Sequence, residues 1–251
     1  MHNINQEAVQ TLLARKSVRA FSGDIPETDV QTILRAAIEA PTAGNMTLWS
    51  AIRVTDPDKR ARLAESCDHQ SFIANAPLVI VFCADVRRWL TAFRAAKPDS
   101  PLRNPGAGDF MLATVDAVIA AHASVTAAEL MGYGSCYIGD ILENLDTQRE
   151  ILRLPAYVKP VCMAVYGLPN DAQRARQKPA RFRTEDIVFE NEYRDADADT
   201  VLQMLGDRQK KHGDDLKQWL QAFLKRKWNC DFSAEMTRSV NQMIAEWNEG
   251  K

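Results

Sequence analysis

This sequence is short of the features that mark whole classes of protein, and each absence removes a reading. Neither charge sign is in surplus: 31 Lys and Arg stand against 33 Asp and Glu, a formal net charge of -2. Such a balance offers no electrostatic footprint for wrapping nucleic acid or for lying on an anionic membrane. Cysteine pairing is missing as well. Cys67, Cys83, Cys136, Cys162 and Cys230 are widely spaced, odd in number and without a Cys-x-x-Cys pair, so neither a disulfide framework nor a zinc ribbon is suggested, and a reducing cytoplasm fits best. The histidines His2, His69, His122 and His212 are too scattered to propose a metal site by spacing. His122, on an apolar stretch, reads as a hydrogen-bonded interior residue.

Catalytic signatures are also scarce. There is no His-Glu-x-x-His, no Gly-x-Ser-x-Gly, no Walker loop and no Gly-x-Gly-x-x-Gly, and the hydrolase and kinase readings lose their support. Met1 to Glu7 lack the basic-then-apolar order of a secretory leader, and the longest apolar run, around Ala76 to Ala84, is too short to span a bilayer. The expectation is a soluble, cytoplasmic protein that meets a small molecule, with no nucleic acid and no membrane among its partners.

What the sequence does hold is a core: 251 residues, 46% of them hydrophobic, suffice for a large folded domain. Val9, Leu12 and Leu13 suit a helix from Asn5 to Ala14, ended by the charged segment that starts at Arg15. After Pro26, Thr28 and Gln31 read as a capping box ahead of Val30, Ile33, Leu34, Ala37 and Ile38 at helical spacing, a helix that must stop before Pro41. Pro41 to Asn45 is a loop of turn formers, Ser50 to Thr55 a strand, and Lys59 to Ser66 a helix. Leu78 to Ala84 is a continuous apolar run of strand length, the pattern of a strand buried on both faces.

From Phe110 to Met131 the sequence is helical and almost wholly small or apolar. A helix apolar all round must be covered all round, by the core, by a second subunit, or by both. Ser135 to Ile138 and Val161 to Tyr166 are further strands, with a helix near Asp146 to Leu152 between them. The fold class is α+β. From Arg194 the composition turns charged and helical, with apolar stripes at Leu216, Trp219, Leu220, Phe223 and Leu224 and at Val240, Met243, Ile244 and Trp247. The expected organisation is a main domain over residues 1–193 and a helical extension over 194–251 that packs on it or on a partner subunit.

One segment stands out chemically: Arg15-Lys16-Ser17-Val18-Arg19. On extended backbone its alternation sends Arg15, Ser17 and Arg19 to one side, where guanidinium forks and a hydroxyl could hold a phosphate. Read alone, it fits a solvated turn closing a helix somewhat better. Lys178-Pro179-Ala180-Arg181, in a loop with Arg174, Arg176 and Arg183, is a second anion-binding candidate, and alone it reads as a surface charge run.

Together with these segments, Ala40-Pro41-Thr42-Ala43-Gly44-Asn45, Ala76-Pro77, Gly132-Tyr133-Gly134, Tyr137-Ile138-Gly139, Leu154-Pro155 and Gly167-Leu168-Pro169 occur in an order that resembles the flavin-dependent nitroreductase family, in the branch of the oxygen-insensitive NADPH nitroreductases and NADPH-flavin oxidoreductases. The resemblance covers nearly the whole chain. It implies a mixed sheet flanked by helices, with the long apolar helix at a homodimer interface, bound FMN, and NADPH or NADH as donor. It further implies ping-pong, two-electron hydride transfer to a nitroaromatic, a quinone or free flavin. The alternatives are a flavin-binding or sensing dimer without turnover, and a specialised flavin-degrading or dehalogenating member.

Carried onto this sequence, the resemblance implies that Arg15 and Ser17, with Lys16 between them, hold the FMN phosphate. Arg19 would reach the pyrimidine edge, where a cation favours the charge left by two-electron reduction. Thr42, Ala43 and Asn45, in the loop begun by Pro41, would come from the other subunit to meet ring and ribityl chain, and Gln70 would lie near the pyrimidine. Tyr137, Ile138, Gly139 and Asp140 would pass the flavin, with a backbone amide donating to N5. Lys178 would pair with phosphate. The usual arginine after Lys-Pro is Ala180 here, leaving Arg181 or Arg176 to complete that site.

Overall fold

The computed structural model describes residues 5–250; His2 and most of the segment on which the leader reading rests lie outside them. The chain divides into two compact units, residues 1–176 with 235–251, and residues 177–234.

The first unit is built on a four-stranded sheet in the order β1 (Trp49–Arg53), β2 (Leu78–Asp85), β4 (Val158–Gly167), β3 (Gly134–Ile138). Each neighbouring pair is antiparallel. The parallel component of the expected mixed sheet is reduced to an isolated bridge between Ser17 and Ser135. The central strands β2 and β4 are buried along almost their whole length, as the continuous apolar run from Leu78 requires. Their register slips between Phe82 and Cys83, the latter facing Pro160; proline has no amide hydrogen for the ladder, and a bulge absorbs the irregularity.

Alternation along β2 sorts its side chains into two cores. Leu78, Ile80, Phe82 and Ala84 join Val30, Ile33 and Ala37 of α2 (Glu27–Ile38) and the alanines of α6 (Ala107–Leu130). Val79, Val81 and Cys83 join Leu63 and Ala64 of α3 (Pro57–Ser66), Ile73 of α4 (Ser71–Ala74) and Ile151 and Leu152 of α7 (Leu145–Leu152). The sheet is thus covered on both faces by helices.

The small residues Ala113, Ala117, Ala120 and Ala121 form the fully buried side of α6. Its opposite side leaves Met111, Leu112, Val115, Val118 and Ile119 exposed in the single chain. By length and composition α6 is long and apolar enough to cross a membrane, a test that core helices of soluble proteins also pass. The interior placement expected for His122 does not hold: it is exposed, on the turn after Val118 and Ile119, although it keeps a hydrogen-bond partner in Tyr137.

The capping box expected at Thr28 and Gln31 does not form. Pro26 takes the cap position, so the helix opens without a side-chain cap. Gln31 instead donates to Glu27 at 2.7 Å, and Glu27 also receives both terminal nitrogens of Arg53 at 2.8 Å. At the other end, α12 (Asp231–Glu249) buries Met243 and Trp247 completely. The Trp247 ring lies 5.0 Å from Phe110 and 5.6 Å from Tyr157, and Glu246 receives Arg149 and the buried Lys159. In the second unit, α10 (Ala198–Gln209) and α11 (Gly213–Lys227) carry Leu216 buried and Phe223 and Leu224 exposed.

Candidate functional site

After α1 (Gln6–Ala14), whose first turn is capped by the Asn5 side chain at 3.1 Å, the chain crosses the ends of β3 and β4 as extended backbone. The Val18 amide donates to the Ser135 carbonyl at 2.8 Å, Phe21 bridges Pro169, and the Ser22 amide donates to Leu168 at 2.8 Å. Two glycines permit this approach. A Cβ on Gly134 would lie 2.4 Å from Val18 Cγ2, and one on Gly167 would lie 2.6 Å from Phe21 Cδ1; either distance is inside van der Waals contact.

The segment delivers Arg15 into a polar cluster on β3 and α6. Arg15 Nη2 donates to Ser135 Oγ at 3.0 Å, and that hydroxyl donates to Glu129 Oε1 at 2.8 Å. The guanidinium also lies over the Tyr137 ring, 5.4 Å from its centroid, and the Tyr137 hydroxyl meets His122 Nδ1 at 3.0 Å. Burial pushes the Glu129 carboxyl above its usual range against the pull of Ser135 and Arg15, and burial likewise raises the Tyr137 phenol. Lys16 turns the other way: its Nζ donates to the carbonyl of Arg174 at 2.8 Å and to that of Arg176. Arg176 returns a donor to the Ser17 carbonyl.

Two donors in this cluster have no acceptor. Arg15 Nε and Arg176 Nε are buried without a hydrogen-bond partner, although Arg15 Nε lies 3.5 Å from Glu129 as an ion pair. Buried polar atoms are nearly always paired, and two guanidinium groups with a spare donor each have the chemistry to take a phosphate. A cavity of about 290 Å³ opens beside Arg15, bordered by Arg15, Lys16, Glu129 and Gly132.

Arg15 and Arg19 meet different neighbours. The exposed Arg19 has its guanidinium 5.7 Å from the Phe72 ring of α4, and its amide donates to Gln173 at 3.3 Å. Gln70, immediately before α4, donates its side-chain amide to the Cys67 carbonyl at 2.8 Å. Arg19 and Gln70 therefore border the same short helix. Ile138 is buried, whereas a Cβ on the exposed Gly139 would meet nothing within 4 Å, so that backbone faces open space. Asp140 lies in the 3-10 turn Gly139–Leu142. Its charge adds to burial in pushing the Cys67 thiol up to about 12 and the Glu143 carboxyl up to about 7. Lys178 and Arg181 lie in the second unit, both exposed, and Arg181 donates to the Pro179 carbonyl at 2.9 Å.

The loop begun by the exposed Pro41 is held by a residue that sequence reasoning missed. Asp116 of α6, 2% exposed, accepts from the Thr42 hydroxyl, from the Ala43 amide at 3.0 Å and from the Leu48 amide at 3.1 Å. From α5 (Arg87–Ala96), Trp89 Nε1 donates to the Met46 carbonyl at 2.6 Å and Arg88 to that of Thr47 at 3.0 Å. Asn45 itself is exposed, in the left-handed region at φ 56°. Glu129 and Ser135 were missed too. A signal existed: Asp116 and Glu129 are the only acids between Phe110 and Leu130, and a carboxylate on an apolar helix needs partners.

Comparison with known proteins gives the family. The nitroreductase family model matches residues 12–168. An FMN reductase (NADPH) of Bacillus subtilis is 31% identical over 188 residues, 74% of each chain. An oxygen-insensitive NADPH nitroreductase of Salmonella typhimurium is 34% identical over 191 residues, 75% of each. Among solved structures, the NADPH:FMN oxidoreductase from Vibrio harveyi complexed with NAD+ superposes with a TM-score of 0.78 at 25% identity, covering 94% of this chain and 97% of the other. The chain belongs to the nitroreductase family.

Proposed function

We propose that this protein is an FMN-dependent NAD(P)H oxidoreductase that works as a soluble, cytoplasmic homodimer and reduces a small electron-poor acceptor such as a nitroaromatic, a quinone or free flavin. The observation that carries the reading is the pair of buried guanidinium Nε atoms without a hydrogen-bond acceptor, one on Arg15 and one on Arg176, whose Nη2 donates to the Ser17 carbonyl. Bound FMN would supply the redox chemistry, a two-electron exchange between NADPH or NADH and the acceptor in alternating half-reactions.

The chain's own residues do the holding. Arg15 and Ser17 bind the phosphate, with Arg176 as the completing cation in preference to Arg181, whose guanidinium is engaged by its own loop. Lys16 orders the Arg174–Arg176 backbone around that phosphate. Arg19 brings a positive charge to the pyrimidine edge with Gln70 beside it, and the Tyr137–Asp140 segment passes the ring, where Gly139 leaves room for close approach. Thr42, Ala43 and Asn45 reach across from the second copy, whose α6 covers the exposed stripe from Met111 to Ile119. Residues 194–251 form the helical extension of the flavin domain over 1–193, with 235–251 folding into the compact unit that holds the sheet.

The test separates retention from chemistry. The purified protein should carry FMN, and Arg15→Ala should weaken its binding by about 10- to 100-fold, the loss of a charge-assisted contact worth ~1.5–3 kcal/mol. Arg19→Ala should slow reduction more than it weakens FMN retention. A wild-type protein that takes up no FMN from solution would end this reading.

A further inference from the structure

We infer that Asp116 is a positioning residue for the flavin site: its buried carboxylate sets the shape of the Thr42–Leu48 loop and so the geometry in which Thr42, Ala43 and Asn45 meet the cofactor. The inference rests on the flavin reading above and adds to it a residue that touches neither cofactor nor substrate.

Three donors from one loop converge on one side chain. Oδ2 takes the Thr42 hydroxyl and the Leu48 amide, and Oδ1 takes the Ala43 amide. The Thr42 oxygen in turn accepts from the Thr47 amide at 2.8 Å, which closes the loop upon itself. Among the described residues no Lys, Arg or His forms an ion pair with this carboxylate. A charge so deeply buried must be compensated by hydrogen bonds, and the loop's donors are the groups that do it.

The loop needs such a hold. Gly44, Asn45 and Thr47 have φ of 57°, 56° and 52°, and the left-handed region is unfavourable for a non-glycine residue, whose Cβ crowds the following carbonyl. Thr47, being β-branched, is a poor occupant of it. A loop with this backbone does not keep one shape by local preference, and a side chain on a helix is a more exact anchor than another loop. Asp116 also follows Val115, one of the exposed apolar residues of α6. The same turn of helix therefore carries the anchor and the face offered to the second copy, so the loop is presented from the interface itself.

The experiment compares wild type with Asp116→Asn, which keeps shape but loses charge and one acceptor, and with Asp116→Glu, which keeps charge and lengthens the arm. Hydrogen exchange at the Ala43 and Leu48 amides is measured without FMN, with β2 amides as an internal control, followed by FMN affinity and the KM and kcat of the reconstituted enzyme. The inference predicts that both variants speed exchange at those two amides by at least about 10-fold while β2 is unchanged. It also predicts that they weaken FMN by about 10-fold, the loss of one buried hydrogen bond to a charge, and raise KM more than they lower kcat. If Asp116→Asn does not fold, Asp116→Glu carries the same prediction. Unchanged exchange at Ala43 and Leu48 would overturn the inference, as would faster exchange with unaltered FMN affinity and KM. A wild type without FMN affinity would instead defeat the flavin reading, and the exchange data would still judge the anchor.

Discussion

The segment around Arg15 and the loop around Asp116 are both irregular, both pinned to α6 and the sheet, and both organised by a charged side chain. They differ in how completely that charge is matched. The carboxylate of Asp116 uses both oxygens on donors from its own chain. The Arg15 guanidinium is matched at Nη2 by Ser135 and has Glu129 3.5 Å from its Nε as an ion pair, yet that Nε has no hydrogen-bond acceptor, and the Nε of Arg176, whose Nη2 donates to the Ser17 carbonyl, has none either. A saturated network is scaffold, because nothing in it remains to recognise a ligand. A network of cationic donors left short of acceptors within the protein is what the proposed phosphate site rests on.

That contrast can be broken most severely at the glycines. Gly134→Val places atoms against Val18, where even a Cβ would lie 2.4 Å away. It should destabilise the fold by roughly 1–3 kcal/mol or more, the usual range for overpacking, as read by urea denaturation, and should lower FMN affinity with it. Gly139→Ala is the counterpart. Its Cβ meets nothing within 4 Å in the chain, so urea stability should stay within about 0.5 kcal/mol while FMN affinity falls. Equal stability losses in the two variants would remove the distinction between a packing glycine and a cofactor-facing one.

A smaller effect is expected at Glu143, 6% exposed, with a buried Oε1 that has no partner. Burial, with Asp140, Asp68 and Glu235 nearby, moves its carboxyl from 4.5 up to about 7. A raised carboxyl means that the folded state holds a proton that the unfolded state has released between those two values. Stability from this group therefore falls as pH rises from about 4.5 to about 7. Glu143→Gln should flatten that part of the profile and stabilise the protein at neutral pH by about 1–2 kcal/mol. A profile unchanged by the substitution would show that Glu143 is not the group responsible.

How much of this was legible in the sequence depends on whether a residue's partner is near it in the chain. The strand from Leu78 declares itself because burial on both faces leaves a continuous apolar pattern, and the helix after Phe110 because its apolar run is longer than any strand. The Thr28 and Gln31 cap misled because Glu27 was the stronger local competitor, tied to Arg53 of β1. The glycine pair Gly134 and Gly167 could be seen only as turn formers until their register placed them opposite each other under Val18 and Phe21. The basic segment was visible, and its link to Ser135 and Glu129 was not, since those contacts close more than a hundred residues of chain. His122 shows the limit from the other side: an apolar helix was legible, but which of its faces the single chain would leave exposed was not.

The measurement that tests the central claim most directly is the absorbance of the FMN-loaded protein titrated with NADPH and, separately, with NADH under exclusion of oxygen. Bleaching of the bound flavin by at least one nicotinamide, followed by full recovery of colour on addition of a quinone or nitroaromatic, is the result this account predicts. Flavin that stays bound and oxidised with both donors would contradict it, and would leave a protein that holds FMN without turning it over.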